Sequence, residues 1–259
     1  MSNFLTPDRT ITIGGVTVNR KIVPASFAAP KDMTSWIKKG QNIKPCRKLN
    51  DGTGKPRGIC IHNTEAIQVP AGTTMAEQYT RATYSGNMAG VIVTYYVDDK
   101  CAWQLLDEDE QGWHAADGTS RKATARPFKT IGGNLDCISF EIIGDSAKAN
   151  DNAARIAAYL LNKYNLAVDD MYGHIFFSGK NCPMFILKNN GWDKFKNLVR
   201  GYVSNSFAPA QPSAPAVPAQ APPKAPSPKK SVDEAAREII RGTGGWGNNP
   251  ERRERLIAA

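Results

Sequence analysis

His174-Ile-Phe-Phe-Ser-Gly-Lys-Asn-Cys182-Pro183 places an imidazole, an ammonium and a thiol within one short run. Ser178, Gly179, Asn181 and Pro183 predict a loop there rather than a helix. Such a loop can turn a soft thiolate and a borderline imidazole toward one point, the donor types that a tetrahedral zinc ion accepts. It offers only two protein ligands, so a third must come from elsewhere. The chain has 3 histidines, and one of the others, His62, ends the apolar run Gly58-Ile-Cys-Ile-His62 before Asn63-Thr64. Two imidazoles and one thiolate leave the fourth position of a zinc ion open to water, as in catalytic sites.

Size and composition set the outer limits. A chain of 259 residues holds one domain of ordinary size plus something small. No apolar run approaches the roughly 20 residues of a membrane span, so membrane insertion is not expected. The start, Met1-Ser-Asn-Phe-Leu-Thr-Pro-Asp-Arg9, has no basic stretch followed by an apolar one, and no signal peptide is expected. Cys46, Cys60, Cys101, Cys137 and Cys182 are odd in number and lack the spacing of a disulfide framework, which fits a reducing compartment. Apart from Cys182, they read as small packing residues. The net charge of +9 points to a polyanionic partner. The basic residues are dispersed, with no helix-turn-helix, no zinc-finger spacing and no interleaved stacking aromatics. A nucleic-acid partner is therefore not expected, and anionic cell-wall polymers satisfy the charge equally well.

Composition shifts sharply near Ser206. From there to Lys230 nearly every third residue is proline and no apolar face is available, which predicts a semi-rigid extended linker over 206–230. Upstream, residues 1–205 carry mixed signals. Thr10 to Pro24 alternates around Gly14-Gly15 as a hairpin, and Gly58 to His62 is a short buried strand. Thr74 to Tyr84 has helical character with Thr74 as N-cap. Val91 to Val97 and Cys101 to Leu106 form strands about the turn Asp98-Asp99-Lys100, and Cys137 to Ile143 is a central strand ended by Gly144. Ala153 to Tyr164 and Phe185 to Val203 have the spacing of amphipathic helices. The pattern predicts an α/β class domain, a central mixed β-sheet flanked by helices. Downstream, residues 231–259 open with a helix capped by Ser231 and Glu234, are broken at Gly242-Thr-Gly-Gly-Trp-Gly-Asn-Asn-Pro250, and start a second helix at Glu251.

Ile61-His62-Asn63-Thr64, Tyr96-Val-Asp-Asp-Lys100, Gly112-Trp113-His114-Ala115, Ile138-Ser-Phe-Glu141-Ile142 and His174 through Lys180-Asn-Cys182-Pro183 occur in that order. The ordered set resembles the type 2 N-acetylmuramoyl-L-alanine amidases, which include phage endolysins, bacterial autolysins and peptidoglycan recognition proteins. The resemblance spans about residues 20 to 203. Residues 231–259 separately resemble part of the cell-wall-binding repeat called CW seven, through Glu-Ala-Ala-Arg-Glu-Ile-Ile-Arg-Gly, Trp-Gly-Asn and Glu-Arg-Arg-Glu-Arg-Leu. That repeat normally continues into a third helix with a Gly-Tyr turn, which this copy lacks.

The resemblance implies His62, His174 and Cys182 as zinc ligands, the trio also reached from their chemistry. It implies Glu141 as general base. A carboxylate inside an apolar strand is costly unless paired or working, and poor solvation would raise its basicity toward working pH. Lys180 is expected to stabilise the oxyanion and to help keep the Cys182 thiol ionised. His114 and Trp113 are expected to line the substrate groove. Some relatives use a tyrosine before the Asp-Asp turn, but the nearest match falls at Val93 or Thr94, so neither Tyr95 nor Tyr96 receives that role. The implied activity is zinc-dependent cleavage between N-acetylmuramic acid and L-alanine in bacterial peptidoglycan, as a phage or prophage endolysin. The alternatives are a non-catalytic peptidoglycan-binding protein of the same fold and an intracellular anhydro-muropeptide amidase. An endolysin without an export signal would wait in the host cytoplasm for a holin-type pore and then act at the cell wall.

Overall fold

Two residues per repeat govern the centre of the molecule. Ile59 and Ile61 alternate in Gly58–Thr64, and Ile138, Phe140 and Ile142 alternate in Cys137–Ile143, so one face of each strand must be buried. The computed structural model describes residues 5–25, 44–85, 88, 90–121 and 130–205; the linker and the C-terminal repeat expected from the sequence lie outside them. The strands are β1 (Arg9–Ile13), β2 (Val16–Arg20), β3 (Gly58–Thr64), β4 (Tyr95–Val97), β5 (Ala102–Gln104), β6 (Cys137–Ile143) and β7 (Met171–Gly173). They form one sheet in the order β1-β2-β5-β4-β6-β3-β7. β1 with β2 and β4 with β5 are antiparallel, and the other pairs are parallel. The helices are α1 (Met75–Ser85), α2 (Gly133–Asp136), α3 (Ala147–Tyr164), α4 (His174–Ser178), α5 (Met184–Leu187) and α6 (Gly191–Asn205). This is the mixed sheet flanked by helices that the sequence predicts.

Ile59, Ile61, Ile138, Phe140 and Ile142 bury one face of the sheet against Ala153, Ile156, Ala157, Leu160 and Leu161 of α3 and Phe195 and Val199 of α6. Each of the Ile, Leu, Val and Phe side chains among them contributes about 1.5–3 kcal/mol. The opposite face carries Cys60, His62, Ser139 and Glu141 on the alternate positions. Tyr96, Trp103 and Ile143 continue that second face, and Ala76 of α1 packs against them.

Several elements depart from the sequence expectation, among them β5, which is shorter than the predicted strand from Cys101 to Leu106. Only Tyr95–Val97 of the run beginning at Val91 is strand, because the Ile92 N–H donates to the Trp113 carbonyl and the Thr94 N–H to the Ser139 hydroxyl instead of joining a ladder. α3 starts at Ala147 rather than Ala153, its first turn capped by the Ser146 hydroxyl accepting from the Ala149 N–H at 3.1 Å. The helix expected over Phe185 to Val203 is divided into α5, a 3-10 turn and α6. Asn190 takes a left-handed φ of 56°, which an uninterrupted right-handed helix does not accommodate.

Asp98 ties the turn between β4 and β5 to two helices. Its carboxylate, fully buried, accepts from the N–H of Ala76 (2.8 Å), Lys100 (2.8 Å) and Cys101 (2.9 Å). Its carbonyl accepts from the Asn152 side chain of α3 at 2.9 Å. Thr74 adds the predicted cap by accepting from the Glu77 N–H at 3.1 Å. Asp98→Ala should lower the unfolding free energy by about 2–4 kcal/mol, because each orphaned buried donor costs about 1–3 kcal/mol. Urea denaturation of the two proteins measures it, and equal midpoints would refute the assignment.

Candidate metal centre

β3 delivers His62 to the face turned away from α3. In the parallel register His62 stands opposite Glu141 on β6, and Glu141 stands opposite Tyr96 on β4. Register partners share a face at the strand spacing of about 4.8 Å, so Tyr96, Glu141 and His62 form a row across the sheet. On the other side of β3, Ile61 pairs with Gly173 of β7, which sets His174 beside the end of β3. The His62 and His174 ring centroids are 4.6 Å apart.

Cys182 reaches the same point by a reversal of the chain. The segment from His174 to Ser178 is a short helix, correcting the predicted loop. Its Phe177 is buried with Cys60, Ala115, Ile131 and Cys137, and that apolar contact holds the turn. Gly179, at φ 78°, ends α4, its N–H donating to the Ile175 carbonyl at 2.9 Å. The Ile175 N–H then donates to the Cys182 carbonyl at 2.8 Å, which closes the hairpin-like return. The Cys182–Pro183 peptide is cis.

His62, His174 and Cys182 thus offer two nitrogens and a sulfur that lie within 4.8 Å of one another. Cys182 Sγ is 3.8 Å from His62 Nδ1. Ligand atoms around tetrahedral zinc are separated by about 3.3–3.7 Å, given Zn–N near 2.0–2.1 Å and Zn–S near 2.3 Å. Both ring nitrogens of His174 are buried without a hydrogen-bond partner, and a metal ion would satisfy one of them. The donor set and its spacing therefore fit zinc.

Burial dominates the electrostatics. It holds His62 well below the usual imidazole range, helped by His114, His174 and the Lys180 charge, and it brings His174 down to about 4 with Lys180 again assisting. Both rings are neutral near pH 7 and present lone pairs. Burial pushes the Cys182 thiol up to about 11, against the opposing pull of the Asn63 backbone and Lys180. Lys180 pulls the thiol down in the expected direction, but in the metal-free protein desolvation outweighs it, and a metal would have to displace the proton. Glu141 is pushed up to about 8 by burial, with Lys180 opposing. The residue is only partly covered, so water can still reach it.

Lys180 is exposed, yet its charge reaches His62, His174, Cys182 and Glu141. Trp113 is half-buried against the cluster containing Ile92, Tyr96 and Leu106. His114 is only 7 % exposed, and its Nδ1 lies 3.0 Å from His62 Nε2. Tyr96 is fully buried and its hydroxyl pairs with that of Thr83 at 3.0 Å. Cys60, read from sequence as packing, also touches the site: its Sγ is 3.2 Å from His62 Nε2, and Cys60, His62 and His114 form a second close trio. Its place two residues before His62 on a strand carried that information. Burial keeps the Cys60 thiol well above its ordinary value, so it remains S–H.

Residues 52–185 match the family model described as N-acetylmuramoyl-L-alanine amidase. N-acetylmuramoyl-L-alanine amidase XlyA of Bacillus subtilis (strain 168) is 31% identical over 68% of this chain and 53% of its own length. N-acetylmuramoyl-L-alanine amidase CwlH of the same organism is 29% identical over 63% of this chain and 59% of its own length. The chain thus spans a little over half the length of these relatives. Among solved structures, a mutant endolysin from Bacillus subtilis superposes with a TM-score of 0.53 at 28% identity, covering 71% of this chain and 99% of that one. The family match takes in His62, His114, Glu141, His174, Lys180 and Cys182 and runs over more than half of the sequence, so the chain belongs to the N-acetylmuramoyl-L-alanine amidase family.

Proposed function

We propose that this chain hydrolyses the amide joining the lactyl group of N-acetylmuramic acid to L-alanine in bacterial peptidoglycan, with zinc held by His62, His174 and Cys182. The observation that carries the reading is the convergence of those three buried side chains beside Glu141. The names of XlyA and CwlH support the choice of bond.

When bound, zinc supplies a Lewis acid that acidifies water and polarises a carbonyl. Glu141, with its basicity raised into the neutral range, takes a proton from the attacking water. The water oxygen bonds to the carbonyl carbon and the C–N bond breaks. Glu141 then passes its proton to the departing L-alanine nitrogen. Lys180, exposed at the mouth of the cluster, holds the carbonyl oxygen as negative charge develops there. His114 is too deeply buried to make more than a limited contact with substrate, whereas half-buried Trp113 keeps an exposed edge for a sugar.

A non-catalytic peptidoglycan-binding protein is the weaker reading, since it would not need a complete His-His-Cys set. An intracellular amidase of anhydro-muropeptides would share that set, but a Pro-rich linker over 206–230 followed by a wall-binding repeat over 231–259 suits an insoluble substrate. The same organisation favours a phage or prophage endolysin held in the host cytoplasm and reaching the wall through a holin-type pore. No helix among the described residues is long and apolar enough to cross a membrane.

Glu141→Gln should lower the hydrolysis rate about 10²–10⁴-fold while zinc remains bound. Mass spectrometry of digested wall should show new free L-alanine amino termini with the parent and not with the variant; new sugar reducing ends instead would overturn the bond assignment. The same variant isolates a pH effect in the metal-free protein. The Glu141 carboxyl titrates near 4.5 when unfolded and about 8 when folded, so between those values the folded state holds the extra proton. The parent should therefore lose stability relative to Glu141→Gln as pH rises from about 4.5 through 8. Thermal melts at both ends check the sign, and a gap that narrows with rising pH would refute a buried carboxyl.

A further inference from the structure

The Nε2 side of His62 faces groups for which the proposed reaction has no use. His62 Nε2 and His114 Nδ1 are 3.0 Å apart, with ring planes at 90°. One proton must lie between two neutral nitrogens at that distance. If it sits on His62 Nε2, the His62 Nδ1 lone pair is free to face His174 and Cys182. If it sits on His114 Nδ1, His62 carries its own proton on Nδ1 and cannot bind a metal there.

The backbone that carries His114 is clamped. Asn134 Oδ1, on α2, accepts from the N–H groups of both His114 and Ala115 at 2.8 Å. Asp117 accepts in turn from the N–H of Gly133 (2.6 Å) and of Asn134 (3.3 Å). The Asn134 side-chain amide donates to the Gly118 carbonyl at 3.2 Å. Between these contacts Ala116 is held at φ 56°, a left-handed conformation that is unfavourable for alanine and persists where surrounding contacts over-determine it. A Cβ on Gly133 would lie 2.3 Å from the Ala115 Cβ, so α2 is pressed directly against the segment. The Ala115 backbone also lies against the His174 ring, and that of Gly133 against the His114 ring, without reaching hydrogen-bond geometry at the nitrogens left unpartnered.

We propose that His114 is a positioning residue: its Nδ1 accepts from His62 Nε2–H and fixes the tautomer that turns His62 Nδ1 toward His174 and Cys182, with Asn134 locking His114 in place. The inference rests on the reading of His62 as a metal ligand. It differs from a substrate-contact role for His114, because it acts through the ring of His62 rather than on a bound wall fragment. Cys60 Sγ, 3.2 Å from the same His62 nitrogen, is a weak acceptor by comparison.

The test uses the full chain. Zinc affinity, measured by competition with a chromogenic chelator, should fall about 10–100-fold in His114→Ala, the range seen when an outer-shell partner of a ligating histidine is removed. His114→Asn, whose amide oxygen can occupy the place of Nδ1, should recover most of that loss, and Asn134→Ala should weaken zinc in the same direction as His114→Ala. Melting of each metal-free variant separates a lost ligand orientation from a lost fold. Should the variants fail to fold, two-bond proton–nitrogen correlations of the unaltered metal-free protein read the tautomer directly, with His62 expected to carry its proton on Nε2. A proton on His62 Nδ1, or parent-like zinc affinity in a folded His114→Ala, overturns the inference. A parent that binds no zinc sinks the ligand assignment instead, and the tautomer measurement still decides the role of His114.

Discussion

Parallel pairing of β3 with β6 is the constraint on which the centre depends. It sets His62 beside Glu141 only because Ile61 is set beside Phe140 on the other face. A slip of β3 by one residue would turn His62 into the apolar layer and Ile59 and Ile61 out of it, parting His62 from Glu141. The register is therefore fixed by burial of the Ile and Phe side chains against α3 and α6, and the polar pair rides on it. Energy gained on one face of the sheet offsets the cost of burying histidine and glutamate on the other.

That cost leaves a recognisable electrostatic state. Desolvation lowers the imidazoles of His62 and His174 and raises the Cys182 thiol and the Glu141 carboxyl. Each shift favours the neutral form, so near pH 7 the metal-free cluster carries little charge beyond that of Lys180 at its exposed edge. A site of this kind is tolerable without a cation and becomes a strong one when a cation arrives, because the thiol proton can be exchanged for a metal bond. Glu141 gains from the same desolvation, since the burial that disfavours its anion also makes it a better acceptor of a proton.

Much of this was legible in the sequence because strands declare themselves by alternation. Cys137 to Ile143 emerged with its bounds intact, and the hairpin at Gly14-Gly15, whose glycines take φ of 56° and 81°, appeared where two adjacent left-handed positions require it. That His62, His174 and Cys182 could share one point was legible from chemistry, since few residues of the chain carry those donor types, and the fold brings their donor atoms within 4.8 Å of one another. The short helix at His174 was not, because glycine, serine and asparagine mark a helix end as readily as a loop, and only the burial of Phe177 decides between them. The break at Asn190 was hidden for a related reason: apolar spacing continues across it while the backbone does not. Asn134 and Asp117 lie apart in sequence from the residues they serve, and no periodicity or spacing points to them.

The two sides of His62 differ in a way that bears on access. Its Nε2 side is closed by Cys60 and His114 and backed by α2, Asn134 and Asp117, all held by hydrogen bonds between backbone and side chain. Its Nδ1 side faces Cys182, beyond which Gly179, Lys180 and Asn181 are exposed. On the proposed chemistry a glycan-linked peptide, too large to enter the molecule, would approach from the Lys180 side. A polymer could then be cut at a centre whose donors are almost completely buried, because only the carbonyl and the attacking water must reach them. On that approach, the hydrogen-bonded backing of His62 lies on the side away from the substrate, where it holds ring orientation without impeding entry.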